Sequence, residues 1–296
     1  MQIEPLISVG IPTYNRPEGL RKTLQGVTSQ TYRNLEIIIS DNDSKNDLVQ
    51  EVVSDFQKND NRIVFYKQNN GIGIVNNFMF VLENSTGEYF IWAADDDQWQ
   101  GDDFLKKLMN HSKSNLLVFP DAVILNGEGK LEHPLNAYEL CVNEVDYTRV
   151  FCSNGIGHPF YGLYNRKMLA DLNFEFKFDG ELSYYNEGTF LHKLFLAGPV
   201  KYVKEATILY SPSTGKTTTK IQLNDFYKYF NSVVLIYSLS NLPNEIKADL
   251  INEVFRNYVS HIKELTSILV AETENTRILP GQRLKKAIKV LLKGRL

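Results

Sequence analysis

The chain has 296 residues, of which 43% are hydrophobic and 23% are charged, as is typical of a globular protein with one large or two modest domains. Its net charge of -3 argues against a general affinity for nucleic acid, because such proteins are usually basic. The chain has two cysteines, no basic and apolar leader, and no apolar run near the ~20 residues of a membrane span. We therefore expect a cytoplasmic protein without a disulfide framework.

Strands and helices are predicted to alternate along the first third of the chain. A β-branched run over 6–11 is closed by Pro12, and apolar residues then recur at helical spacing over 18–30. Further strands are predicted at 36–40, 63–66 and 89–93, with helices at 48–56 and 76–82 between them. This alternation is typical of an α/β fold with a parallel sheet.

Polar clusters follow each of the four predicted strands, at 13–16, 41–43, 68–71 and 95–97. Open α/β sheets bind ligands outside the carboxyl ends of their strands. We therefore expect the four clusters to meet at one crevice. Beyond them the pattern is mixed until an amphipathic helix at 189–197, and a polar stretch at 211–222 precedes a helical C-terminal region.

The cluster at 95–97 is three consecutive aspartates after an apolar run. Adjacent carboxylates repel one another unless a cation, hydrogen bonds or solvent compensates. Oxygen ligands suit Mg²⁺ or Mn²⁺, whose coordination substrate phosphates usually complete. The alternative is a solvated acidic turn that caps a helix beginning near Asp102.

Three stretches resemble the inverting family 2 glycosyltransferases of the GT-A fold, in the family's order and spacing over residues 6–105. They are ISVGIPTYNRPEGLRKTLQGVTSQTYRNLEIIISDNDS, NNGIGIVNNF and TGEYFIWAADDDQW. The resemblance implies a Rossmann-like, mostly parallel sheet flanked by helices, followed by a C-terminal helical extension. The polar stretch at 211–222 is the predicted domain boundary, so the chain is divided into a transferase domain at 1–215, with a nucleotide part to about 105 and an acceptor part after it, and a helical region at 216–296.

The resemblance also implies a nucleotide-sugar donor, most simply a UDP-sugar, and a divalent metal. It places these residues at the donor: Pro12, Thr13, Tyr14, Arg16, Asp41, Asn70, Asn77 and Asp95. Alignment on Trp99 makes Asp96 the metal ligand, with Asp95 on the ribose or metal and Asp97 on the metal, structural, or toward the acceptor. Ala94 stands where the family usually has its first aspartate.

Inverting sugar transfer needs a base that deprotonates the acceptor hydroxyl. By resemblance this base is Glu187, at the start of a helix that ends near Gly198, although an acid in a first turn also serves as a cap. Asp179 and Glu181 are rival bases, and Glu181 is alternatively an acceptor ligand. His158 and Trp99 are further acceptor candidates, with a structural role as the alternative for His158.

Two features remain open at the C-terminal end. The loop at 211–220 lacks the histidine that many relatives carry, and Lys216 is a candidate to neutralise the leaving diphosphate. The segment at 283–296 is a basic amphipathic helix without acidic residues, which either lies on an anionic membrane or packs on its own domain or on a partner subunit of a homo-oligomer.

The favoured function is metal-dependent transfer of a sugar to a saccharide or glycolipid hydroxyl, in bacterial surface-polysaccharide synthesis. One alternative is a nucleotidyltransferase, which normally needs a glycine-rich, basic phosphate loop that IPTYNRPEG does not provide. The other is a degenerate relative that binds saccharide or acts as a scaffold, which the alanine at position 94 favours and the presence of Glu187 and Asp96 disfavours.

Overall fold

The computed structural model describes residues 4–125, 131–134, 137–154, 157–176, 184–210 and 223–274. In that part of the chain nine strands form one sheet, in the order β3-β2-β1-β4-β8-β6-β9-β5 with β7 beside β6. The strands are β1 (Ile7–Thr13), β2 (Leu35–Asp41), β3 (Ile63–Lys67), β4 (Tyr89–Trp92), β5 (Asp97–Trp99), β6 (Leu117–Leu125), β7 (Leu131–Pro134), β8 (Leu163–Asn165) and β9 (Val200–Tyr210). The helices are α1 (Pro17–Thr28), α2 (Leu48–Gln57), α3 (Ile74–Glu83), α4 (Phe104–Met109), α5 (Glu144–Asn154), α6 (Arg166–Asp171), α7 (Tyr184–Ala197), α8 (Leu223–Leu239) and α9 (Asn244–Glu274).

The N-terminal half of the sheet is parallel, and β1 lies at its centre. All seven residues of β1 are buried between β2 and β4, as expected for a strand covered on both faces. The strand continues through Pro12 rather than ending before it. Its pairing with β4 reaches only Gly10, so β2 alone flanks Pro12, and an edge position tolerates a residue without an amide hydrogen.

The C-terminal half of the sheet is mixed. Strand β8 runs antiparallel to both β4 and β6, whereas β6 and β9 pair in parallel. Most of the paired residues belong to parallel ladders, and the predicted α/β architecture with helices on the sheet is confirmed.

Strand β5 is one of the elements that the sequence pattern did not predict. It has three residues, begins at Asp97 within the acidic cluster, and pairs antiparallel with β9. A strand this short and polar has no detectable periodicity, and its pairing with residues more than a hundred positions later stabilises it.

Apolar side chains form a core on each face of the sheet. One includes Val9 and Leu24, and the other includes the buried aromatic rings of Phe90 and Trp92. A third cluster joins α8 and α9 to Cys152 of α5. The predicted domain boundary at 211–222 lies outside the described residues. Among the helices that the structure describes, none is long and apolar enough to cross a membrane.

Candidate functional site

A cleft of about 270 Å³ opens at the carboxyl ends of β1, β2 and β4. Seven of the predicted donor and metal residues line it: Pro12, Thr13, Tyr14, Arg16, Asn77, Asp95 and Asp96. The remaining lining residues are Asn42, Ile74, Phe78, Ala94 and Tyr161. The expected meeting of the polar clusters at one crevice is therefore observed for three of the four strand ends.

Arg16 joins the two carboxylates of the cleft. Its Nη1 atom donates to Asp95 Oδ1 at 3.0 Å and to Asp96 Oδ2 at 2.5 Å. Thr13 Oγ1 donates to the other oxygen of Asp95 at 2.7 Å. Burial raises the pKa of Asp95 to about 6, although the bonds from Thr13 and Arg16 favour its charged form.

Helix α1 fixes the backbone on which these aspartates lie. Thr23 Oγ1 donates to the carbonyl of Ala94 at 2.9 Å. One turn earlier, a Cβ atom added to Gly19 would come within 2.0 Å of the carbonyl oxygen of Asp95. Only glycine allows the helix to approach the turn this closely, so Gly19 sets the position of Asp95.

The end of β2 holds a carboxylate with one unused oxygen. Asp41 is 1% exposed, and its Oδ1 accepts from the amide and the hydroxyl of Ser44, at 3.1 and 2.5 Å. Its Oδ2 is buried without a hydrogen-bond partner in the described part of the chain. A buried acceptor left unpaired is destabilising, and Asp41 itself is not among the residues that line the cleft.

Asn77 is held by the backbone and side chain of β2. Its Oδ1 accepts from Ser40 Oγ at 2.6 Å and its Nδ2 donates to the Ser40 carbonyl at 3.0 Å. Nearby, Asn42 Oδ1 accepts from the amide of Ile72 at 2.8 Å, which holds the loop before α3 against the end of β2. These bonds fix the wall of the cleft formed by α3.

Glu187 lies in the first turn of α7. Burial raises the pKa of its carboxyl to about 7, because protein atoms crowd the group even though the residue keeps some solvent access. A Cβ atom on Gly157 would lie 3.7 Å from Glu187 Oε2. Gly157 precedes a short 3₁₀ turn (His158–Tyr161) whose last residue, Tyr161, lines the cleft.

Other predicted site residues lie away from the cleft lining. His158 is 1% exposed among the rings of Phe119 and Tyr138, neither ring nitrogen has a described partner, and burial lowers its pKa to about 3. Trp99 stacks on Phe104 with centroids 4.8 Å apart. Asn70 is exposed on the loop after β3.

Four predicted site positions lack described side chains. Asp179, Glu181 and Lys216 lie outside the described residues, as does the basic segment at 283–296. For Asp97 only the backbone, in β5, is described. Their proposed roles remain predictions.

The carboxylates of the cleft fit a divalent metal that substrate oxygens would complete. The described residues contain no group of three or more His, Cys, Asp or Glu that could enclose an ion. Oxygens of Asp95 and Asp96 nevertheless converge on one cationic atom, Arg16 Nη1. Two carboxylates open to a cleft are the kind of partial ligand set that Mg²⁺ uses with phosphates.

Three features of the site were not predicted from the sequence: the close approach of Gly19, the Asp41–Ser44 pair and the lining by Tyr161. The sequence does contain a signal for the Asp41–Ser44 pair, because an aspartate often accepts hydrogen bonds from residues that follow it closely in a turn. The other two depend on contacts between distant segments. A second cavity of about 660 Å³ lies between α1 and α2, where Arg21 pairs with Asp55, and it contains none of the predicted site residues.

Comparison with known proteins identifies the family. The model described as "Glycosyl transferase family 2" matches residues 8–172, which include β1 to β4, the cleft aspartates and β8. The chain belongs to glycosyl transferase family 2. The resemblance stated from the sequence motifs is thus confirmed.

Proteins similar to this chain come from several bacteria. GalNAc(5)-diNAcBac-PP-undecaprenol beta-1,3-glucosyltransferase of Campylobacter jejuni is 27% identical over 198 residues, which cover 64% of this chain and 63% of that protein. The putative glycosyltransferase EpsH of Bacillus subtilis is 28% identical over 206 residues, 68% of this chain and 59% of that protein. The chain thus spans about three fifths of the length of these relatives.

Solved structures of glycosyltransferases share the fold. S. aureus TarS 1-349 in complex with UDP-GlcNAc superposes with a TM-score of 0.72 at 16% identity, covering 98% of this chain and 81% of that one. The mannosyltransferase PcManGT from Pyrobaculum calidifontis, in complex with GDP-Man and Mn²⁺, gives a TM-score of 0.58 at 16% identity with the same coverage. The architecture is therefore the GT-A fold of the family.

Proposed function

We propose that this family 2 chain transfers a sugar from a nucleoside-diphosphate sugar to a saccharide or lipid-linked saccharide hydroxyl with inversion. The observation that carries the proposal is the cleft itself. Residues from three strand ends meet there around the Asp95 and Asp96 carboxylates, where family membership leads one to expect a nucleotide. The fold alone would not decide the function, because one fold hosts many activities.

The donor nucleotide is proposed to bind along β1 and β2. The unused Oδ2 of Asp41 would accept a hydrogen from an N–H of the base, and the side chain of Arg16 would meet the diphosphate. A UDP-sugar is the preferred donor, since two TarS structures are described as complexes with UDP-GlcNAc and with UDP. The alternative donor to be tested is a GDP-sugar, because the PcManGT structure contains GDP-Man.

Asp96, with Asp95, would hold a divalent cation, Mn²⁺ or Mg²⁺. When bound, such an ion supplies positive charge to the leaving diphosphate. Support for this assignment comes from the convergence of the two carboxylates and from the Mn²⁺ in the PcManGT complex. Thr13 holds one oxygen of Asp95 by its hydroxyl, and the oxygens that contact Arg16, Asp95 Oδ1 and Asp96 Oδ2, are the candidate metal ligands.

Glu187 is proposed as the base. The acceptor oxygen attacks the anomeric carbon from the face opposite the diphosphate, the bond from that carbon to the diphosphate oxygen breaks, and the acceptor proton passes to the Glu187 carboxylate. A pKa raised by burial to about 7 suits this task, because a base works best when its pKa is near the working pH. Asp179 and Glu181 remain the alternatives for this role.

A saccharide carried on a lipid is the proposed acceptor class, in the synthesis of a bacterial surface polysaccharide. One support is the Campylobacter relative, whose name says that it acts on an undecaprenol-linked saccharide. The other is TuaG of Bacillus subtilis, named as a putative teichuronic acid biosynthesis glycosyltransferase. TuaG is 32% identical over 107 residues, which cover 36% of this chain and 41% of that protein. Peripheral contact with a membrane through 283–296 would bring the enzyme to such an acceptor.

The test is release of nucleoside diphosphate from a panel of UDP- and GDP-sugars, with Mn²⁺, Mg²⁺ or EDTA. We expect one donor to be consumed, with the rate lost in EDTA and in Asp96→Asn. Asp102→Asn is the matched control, because it removes an exposed carboxylate six residues later in the chain. Donor binding without any turnover across acceptors would instead favour a saccharide-binding or scaffold role, and failure of every nucleotide to bind would refute the proposal.

A further inference from the structure

Arg16 occupies the point at which a cation between the two cleft aspartates would lie. One nitrogen, Nη1, contacts oxygens of both Asp95 and Asp96. Thr13 holds the opposite oxygen of Asp95, so this carboxylate is fixed from both sides. The geometry places a protein cation, rather than solvent, between the carboxylates.

The rest of the guanidinium is available to a ligand. Nε and Nη2 of Arg16 form no hydrogen bond within the described part of the chain, and the side chain is 37% exposed. Arg16 also precedes the first turn of α1, where the helix dipole favours an anion. A planar guanidinium with unused donors is well suited to phosphate oxygens.

A divalent ion and a guanidinium cannot share this position, because they compete for the same carboxylate oxygens and repel each other. We propose that Arg16 is a resident counter-ion that holds Asp95 and Asp96 together before ligands bind and moves to the diphosphate when the metal and donor bind together. The inference rests on the proposed function, since it assumes a metal and a diphosphate ligand.

Two consequences follow for binding. Metal alone binds weakly, because it must displace Arg16 without providing a new partner for it. Metal and nucleoside diphosphate bind cooperatively, because the diphosphate accepts the displaced guanidinium. Removing the Arg16 charge therefore strengthens the binding of metal alone and weakens the binding of metal with nucleotide. A general defect in the site would instead weaken both.

The test measures Mn²⁺ binding by the loss of the free-ion paramagnetic resonance signal, in the absence of nucleotide. We expect Arg16→Ala to bind Mn²⁺ about tenfold more tightly than the wild type, because the charge contacts of Arg16 with the buried Asp95 and the partly exposed Asp96 are removed. Arg16→Gln is a second variant that keeps an N–H donor, in case Arg16→Ala fails to fold. We expect it also to bind Mn²⁺ more tightly than the wild type. Arg21→Ala, which removes an equal charge from the outer face of α1 where it pairs with Asp55, should leave Mn²⁺ affinity unchanged.

The second arm measures UDP affinity in saturating Mn²⁺ by calorimetry. We expect Arg16→Ala and Arg16→Gln to bind UDP at least about tenfold more weakly, whereas Arg21→Ala matches the wild type. Unchanged or weaker Mn²⁺ binding in both Arg16 variants overturns the inference, as does the absence of Mn²⁺ binding from wild type and variants alike. Either outcome overturns only the role of Arg16 if the wild type still turns over a donor, because the proposed function then stands.

Discussion

Replacing Glu187 by glutamine should change how the stability of the protein depends on pH. Burial raises the pKa of this carboxyl from 4.5 to about 7. Between these values the folded protein keeps the proton while the unfolded chain releases it, so the free energy of unfolding falls as pH rises through the window. Glutamine has the same shape and no charge, so the variant lacks this loss.

The magnitude follows from the size of the rise in pKa. One pKa unit corresponds to about 1.36 kcal/mol, so the full rise from 4.5 to about 7 sets an upper bound of about 3 to 4 kcal/mol. The partial solvent access of Glu187 reduces this bound, and we expect about 1 to 3 kcal/mol. Asp95, whose pKa burial also raises, contributes in the same direction in both proteins and cancels in the comparison.

Denaturant unfolding of wild type and Glu187→Gln at pH 4.5 and pH 8 provides the measurement. We expect Glu187→Gln to gain about 1 to 3 kcal/mol relative to wild type on going from the lower to the higher pH. Equal pH dependence in the two proteins would refute the burial argument. In parallel, the turnover of the wild type should fall below about pH 7 as the base is protonated, and Glu187→Gln should lose at least about a hundredfold in turnover while still binding the donor.

Three further changes test the cleft. Gly19→Ala places a methyl group against the carbonyl of Asp95, so it should lower the free energy of unfolding by about 1 to 3 kcal/mol and weaken donor binding. Gly26→Ala is the control on the same helix, because a methyl group there meets open space; thermal melts should show it to be neutral or stabilising. Asp41→Asn can still accept from Ser44, but it replaces one carboxylate oxygen with an N–H donor, so calorimetry should show UDP affinity about tenfold lower in an otherwise folded protein. His158→Phe removes two buried nitrogens without described partners and should leave transfer intact; a specific loss of acceptor turnover would instead return His158 to the acceptor site.

Hydrophobic periodicity and strand-end position were sufficient to predict the N-terminal half of the fold. Strands β1 to β4 and helices α1 to α3 lie within two residues of their predicted bounds, because each is a long apolar or amphipathic run closed by polar residues. Convergence of Thr13 and Asp95 followed from the rule that the carboxyl ends of parallel strands share one edge, whereas Asn77, which lies in α3, was placed at the donor by the family resemblance.

The parts that could not be predicted depend on pairs of distant segments. Nothing near Gly19 in the chain shows that it contacts Asp95, and nothing near Asp97 shows that β9 pairs with it. His158 illustrates a related difficulty, because its contacts with the rings of Phe119 and Tyr138 depend on how distant segments pack together. Whether a single polar side chain is buried depends on the packing of the whole core, which the local sequence does not show.

An anomalous diffraction map of crystals grown with UDP and Mn²⁺ tests most directly whether this cleft binds a nucleoside diphosphate through a metal at Asp96. We predict one strong manganese peak within coordination distance of the Asp96 carboxylate and of the diphosphate, with the base beside Asp41. A manganese peak elsewhere, or UDP bound outside the cleft, would contradict it.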